Sequence, residues 1–145
     1  MPNIKFIIYG DPRTKKNSLM IAGTGRRCPA CGKPLKQWVK QSAQHDKWAK
    51  DAAEQITVQL YQNAHSKEFE KTVFPIAEPV NVQAMFYMGT RRKVDTLNLL
   101  AAVDDMLVAA GVLGDDNYTI VAAHDGSRVL YDKENPRIEI EIQSV

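Results

Sequence analysis

The stretch Val80-Asn81-Val82-Gln83-Ala84-Met85-Phe86-Tyr87-Met88, Gly89-Thr90, Arg91-Arg92-Lys93-Val94 and Asp95-Thr96-Leu97-Asn98-Leu99 decides how this chain folds. Its first nine residues are rich in β-branched and aromatic side chains and alternate in part between apolar and polar, which predicts a strand. Gly89-Thr90 ends it. Asp95 suits an N-cap, because its carboxylate can accept a backbone N–H at the start of a helix. Beyond it Leu99, Val103, Met106, Leu107 and Ala110 recur at helical spacing, and Gly111 supplies the C′ stop. A strand therefore feeds a helix through a short basic connection.

The flanks extend the pattern. Ile4 to Tyr9 reads as a first strand stopped by Gly10-Asp11-Pro12. Residues 12–41 lack periodicity and carry Arg13, Lys15, Lys16, Arg26, Arg27, Lys33, Lys36 and Lys40 among Gly and Pro, so a long basic loop is expected there. From Ser42 to Gln62, Trp48, Ala52, Ile56 and Leu60 fall at four-residue steps with Ala49 and Ala53 beside them, which predicts an amphipathic helix. Residues 63–72 are a polar connection. After Gly111, Val112 to Asn117 reads as a turn, and 119–124 with 127–131 as a hairpin or one bent strand around Asp125-Gly126. Arg137 to Ile142 alternates strictly, the mark of a half-buried last strand. The order β-loop-α-β-α-β-β predicts one α+β domain over residues 1–145, with two main helices on one face of a small mixed sheet of about four strands.

Composition narrows the class. The 145 residues are enough for a single core, and 44% hydrophobic with 25% charged is ordinary for a globular protein. No apolar run approaches the roughly 20 residues of a membrane helix, and the N-terminus has no apolar signal region. Two cysteines, Cys28 and Cys31, are too few for a disulfide framework. A cytoplasmic protein without a membrane partner is the expectation. Charge is divided: residues 1–93 hold 16 Lys and Arg against 7 Asp and Glu, and residues 94–145 hold 3 against 10. Such a division predicts a basic surface for a polyanion beside an acidic cluster with another task.

That cluster includes Asp115 and Asp116, which lie past the far end of the helix that Asp95 begins. A helix of about fifteen residues is roughly 22 Å long, so Asp95 and Asp116 can meet only if the chain after Gly111 folds back along it. Hard carboxylate oxygens suit Mg²⁺, and with Arg91, Arg92 and Lys93 to hold a phosphate backbone they would suit phosphodiester hydrolysis. The plain alternative is that Asp95 only caps a helix and Asp115-Asp116-Asn117 only forms a turn. Asn98 and Asp105 share a helical face with Ala101 and Ala102, either solvated surface or one turned to a groove or partner.

Arg91-Arg92-Lys93-Val94-Asp95-Thr96-Leu97-Asn98-Leu99, Asp105-Met106-Leu107, Ala110-Gly111-Val112-Leu113 and Asp115-Asp116, in that order and spacing, resemble the RusA family of Holliday junction resolvases, small endonucleases of phages and prophages. The opening strand with Gly10-Asp11-Pro12-Arg13-Thr14-Lys15-Lys16-Asn17-Ser18 is similar to that family's N-terminal strand and loop. The resemblance implies a homodimeric nuclease of bacterial or phage origin that uses Mg²⁺ or Mn²⁺ to nick four-way DNA junctions symmetrically. It implies that Asp95 and Asp116 ligate the metal, that Asp115 and Asn98 assist, and that Arg91, Arg92, Lys93, Arg13, Lys15 and Lys16 bind DNA. Two positions depart from the family pattern: Leu97 replaces its middle Asp and Ala101 a Lys. A branched-DNA-binding protein that has lost cleavage is the alternative these departures raise.

Cys28-Pro29-Ala30-Cys31 is half of a zinc ribbon motif; the plain reading is a reduced pair in a loop, and a Zn²⁺ shared across a dimer is the alternative. His45, His65 and His124 show no spacing of a triad or metal site, and His124 reads as structural or exposed. Trp48 belongs to the helix stripe. Trp38, between Lys36 and Lys40, is the better candidate for stacking on a base.

Overall fold

The computed structural model describes residues 3–14, 19–41 and 43–145. Its elements are β1 (Asn3–Tyr9), β2 (Leu19–Gly23), β3 (Gln37–Gln41), α1 (Ala43–Gln62), α2 (Lys67–Glu70), β4 (Val80–Met88), α3 (Thr96–Ala109), β5 (Val121–Ala123), β6 (Arg128–Tyr131) and β7 (Arg137–Ser144). The class is α+β, as expected, with a main sheet of five strands rather than four among the described residues. β7 lies between β1 and β4 and runs antiparallel to both. β5 and β6 both run parallel to β4, so α3 is the crossover that a parallel pair requires.

Residues 121–131 form a bent strand and not a hairpin. Val121 stands opposite Val80, and Arg128 to Tyr131 stand opposite Met85 to Met88, so the two pieces follow one edge of β4. The gap between them is bridged by a side chain of β4 and one of the intervening residues. Asn81 Nδ2 donates to the Asp125 carbonyl at 3.2 Å and Asn81 Oδ1 accepts from the Asp125 amide at 2.7 Å. Ser127 Oγ accepts from the Ala84 amide at 3.0 Å.

Alternation sets the core. Ile4, Phe6 and Ile8 of β1, Val80, Val82, Ala84, Phe86 and Met88 of β4, and Ile138, Ile140 and Ile142 of β7 are buried on one face. Ala52 and Ile56 of α1, Phe69 of α2, and Leu99, Leu100, Val103, Met106 and Leu107 of α3 complete the same cluster. Each of these Val, Leu, Ile, Phe and Met side chains stabilises the fold by about 1.5–3 kcal/mol through removal from water. The expected stripes of both long helices face this core, although Ala102, expected on the polar face of α3, is buried.

The outer edge of β1 is closed by α1. Gln59 accepts from the Ile7 amide at 2.9 Å and donates to the Ile7 carbonyl at 2.6 Å. Gln55 does the same at Tyr9, at 2.8 and 3.0 Å. Four helical residues rise about 6 Å and two strand residues about 6.7 Å, so the two spacings match.

Two expectations are corrected. Residues 12–41 are not a loop throughout: β2 and β3 pair antiparallel from Leu19 opposite Gln41 to Gly23 opposite Gln37. The strands are short and, among the described residues, pair only with each other, outside the main sheet whose buried face sets the alternation of the other strands. Within the polar connection 63–72, Ser66 caps the single turn of α2, which sets Phe69 edge-on against Phe6 with ring centroids 5.8 Å apart.

Candidate functional site

The two ends of α3 carry opposite charges. At its start, loops from three strands are tied together. The Gly10 amide donates to the Pro136 carbonyl at 3.0 Å, and the Gly89 amide to Asp11 Oδ1 at 3.0 Å. A Cβ on Gly89 would meet Pro136 Cγ at 2.9 Å, so only glycine allows this approach. This ties the loop that leads to Arg13 to the one that leads to Arg91, Arg92 and Lys93, which are exposed. The Arg91 guanidinium lies over the Tyr131 ring, 4.3 Å from its centroid. Lys15 and Lys16 lie outside the described residues. Asp95 is the N-cap of α3, its Oδ1 accepting the Leu97 amide at 3.0 Å.

The far end is acidic. The Asp115 carboxylate accepts from the Asp116 amide and from Asn117 Nδ2, each at 2.8 Å. These donors, the amide first, hold its carboxyl below the usual range. A hydrogen bond shared with Asp115 pushes Asp116 up, burial and the Asp115 charge add to that, and Asp105 contributes. The two neighbouring carboxylates thus disfavour each other's charge at Asp116, an effect that a bound divalent cation would offset.

One chain does not bring Asp95 and Asp116 together. The fourteen residues of α3 span about 21 Å. After Gly111 the chain stays at the start of β4, where the Gly114 amide donates to the Ile76 carbonyl at 2.9 Å and the Val80 amide to the Ile120 carbonyl at 2.8 Å. The return strand begins only at Val121, so it carries Ser127 to Tyr131, not Asp116, toward Asp95. Among the described residues no three His, Cys, Asp or Glu side chains gather as a metal site. Asp115 and Asp116 are the right donor class for Mg²⁺, and one chain leaves the remaining donors to come from elsewhere. Asn98 and Asp105 are half-buried on α3, while Leu97 and Ala101 are exposed.

No protein-family model matches the chain, and a search of curated proteins returns no match.

Sequence reasoning missed a buried pair between the two ends. Asp104, 8% exposed, places Oδ2 at 2.9 Å from His124 Nε2, and His124 Nδ1 lies 2.9 Å from the Val82 carbonyl. Both ring nitrogens face acceptors, so the ring serves both only as the imidazolium, and the hydrogen bond to Asp104 raises its pKa against the effect of burial. A signal existed: Leu100, Val103, Asp104 and Leu107 follow core spacing, and a carboxylate in that stripe needs a partner. The remaining aromatic candidates fall as expected, Trp48 against the core and Trp38 exposed.

Proposed function

We propose that this chain is a Mg²⁺- or Mn²⁺-dependent endodeoxyribonuclease related to the RusA resolvases, acting as a homodimer on four-way DNA junctions. The observation that carries the reading is the Asp115–Asp116 pair, short of positive charge, at one end of a helix whose other end joins Asp95 to an exposed cationic run. A second copy supplies what one chain leaves open. If two α3 helices pair antiparallel about a two-fold axis, the acidic end of each faces the cationic end and Asp95 of the other. The exposed and half-exposed line Leu97, Ala101, Asp105 and Val108 is compatible with such a pairing: two of its residues are large and apolar and one is small.

In this reading Arg13, Arg91, Arg92 and Lys93, with Lys15 and Lys16, hold phosphates. Asp95, Asp115 and Asp116 hold the cation, with Asn98 beside Asp95 and Asp105 behind Asp116. The cation, when bound, lowers the pKa of a water and offsets charge developing on phosphorus. The cap bond fixes the Asp95 carboxylate at a defined angle to the helix, and the Arg91–Tyr131 stack restrains one phosphate-binding cation. One observation favours the second reading, a branched-DNA-binding protein without cleavage: Leu97, 74% exposed, offers an apolar group where the family has a carboxylate.

The test is cleavage of a labelled synthetic four-way junction in Mg²⁺, in Mn²⁺ and in EDTA, with Asp116→Asn alongside. Paired, metal-dependent nicks that vanish in the variant support the nuclease. Tight junction binding without nicks in either metal supports the binding-only reading and refutes the nuclease. Absence of preferential junction binding refutes both.

A further inference from the structure

The β2–β3 hairpin ends in a loop that no part of the reading above uses. Arg27 and Pro34 form an isolated bridge that closes it. The Cys28 amide donates to the Lys33 carbonyl at 2.8 Å, the Gly32 amide to the Cys28 carbonyl at 2.8 Å, and the Leu35 amide to the Arg26 carbonyl at 2.9 Å. Gly32 takes a φ of +69°, which turns the chain back after Cys31. The Cys31 and Ala30 backbone and the Cys31 thiol lower the Cys28 pKa, which favours its thiolate. Two thiolates about 2.3 Å from one tetrahedral ion sit near 3.8 Å apart, a separation that two cysteines three positions apart around such a tight turn can reach. The loop thus offers two of the four ligands of a tetrahedral thiolate site.

Among the described residues, the same chain does not supply the other half. The sequence holds two cysteines and three histidines. His45 is buried against Trp48, and His124 is engaged by Asp104 and Val82. His65 lies beyond the far end of α1, and twenty helical residues span about 30 Å. Among the described residues no third ligand joins the pair.

We propose that Cys28 and Cys31 of two copies of this chain bind one Zn²⁺ in a shared four-cysteine site. A second copy is the occupant the hairpin fits. Ile21, Leu35 and Trp38 are exposed on it, and β2 and β3 pair only with each other among the described residues, so a two-stranded unit presents apolar side chains that a partner's surface could cover. Charge agrees as well. Four thiolates around Zn²⁺ carry a net charge of about −2, and Arg26, Arg27 and Lys33 of each copy surround it, with Arg27 Nη1 held on the Gly32 carbonyl at 3.0 Å. Without the metal those cations would drive two hairpins apart. This site stands independently of the nuclease reading.

The experiment uses the full chain, purified with reductant and without a metal-binding tag. Zinc is counted by mass spectrometry, Co²⁺ replaces it for absorption spectroscopy, and mass in solution is measured with and without a zinc chelator. The expected result is one Zn²⁺ per two chains, a Co²⁺ spectrum of tetrahedral four-thiolate ligation, and loss of both in Cys28→Ser and Cys31→Ser. Both cysteines lie outside the core, and unchanged far-UV circular dichroism of the serine variants separates lost ligation from lost folding. One metal per chain, a two-thiolate spectrum, or no metal retained at micromolar free Zn²⁺ overturns the proposal. So does a zinc content that the serine variants keep.

Discussion

Replacing His124 by Ala tests the buried pair directly. Asp104 Oδ1 has no hydrogen-bond partner among the described residues and Oδ2 has His124, so the variant leaves a carboxylate in the core with neither oxygen satisfied. Removing one partner of a buried ion pair costs about 3–5 kcal/mol. The His124 ring is a quarter exposed, which lets water reach the vacated side, so the lower end, about 3 kcal/mol, is expected. Against a total of about 5–15 kcal/mol that is a large share, equivalent to a fall in Tm of about 6–12 °C for a chain of this size. Asp104→Asn keeps the volume and removes the charge, and should cost less than His124→Ala. The double variant should cost less than the two singles combined, by about 1–3 kcal/mol. Urea unfolding at several pH values is the assay. The folded pKa of His124 is raised, so the pair's stabilisation is complete below the unfolded value near 6.5 and is lost as pH rises through the folded value. Wild type should therefore lose more stability between pH 6 and pH 9 than His124→Ala does. Equal losses in the two proteins, a cost under about 1 kcal/mol at pH 6, or strict additivity of the singles would refute the account.

Two further outcomes concern single residues at the start of α3. Asp95→Ala removes the cap bond to the Leu97 amide and should cost about 1 kcal/mol, whereas Asp95→Asn, an equally good cap, should melt like wild type and, if Asp95 holds metal, lose cleavage; thermal melts beside the junction assay separate the two roles. Arg92→Ala should weaken junction binding across all sequences and lower the slope of log affinity against log salt by about 0.9, read by titration at several salt concentrations; an unchanged slope removes Arg92 from the phosphate contacts.

The main sheet and long helices were legible because burial imposes a period on them: β4 alternates along its whole length and β7 as far as Ile142, and the stripes of α1 and α3 point at them. The β2–β3 hairpin was not, because its residues answer only to each other and carry no imprint of a core. The bent course of 121–131 left two readings open, and Asn81 and Ser127 select one through contacts 43 and 44 residues apart in sequence. At the site, the capping of Asp95 was readable from its place before an apolar stripe, since capping is local. The separation of Asp95 from Asp116 was not, because it depends on where the return strand begins. The Asp104–His124 pair spans twenty positions and two elements, and only the misplaced carboxylate hinted at it.

The glutamine rungs along β1 also govern how copies of this chain meet in concentrated solution. An open strand edge is a template on which neighbouring molecules can grow a shared sheet, the first step toward aggregation. Gln55 and Gln59 occupy two residues of that template with neutral amides that offer one donor and one acceptor each, and the opposite edge of the sheet is interrupted at His124–Ser127. On the main sheet both routes to indefinite growth are thus obstructed, which favours finite association through helix or hairpin surfaces over a fibre built from that sheet. Loss of both glutamines would cost solubility before it cost the fold.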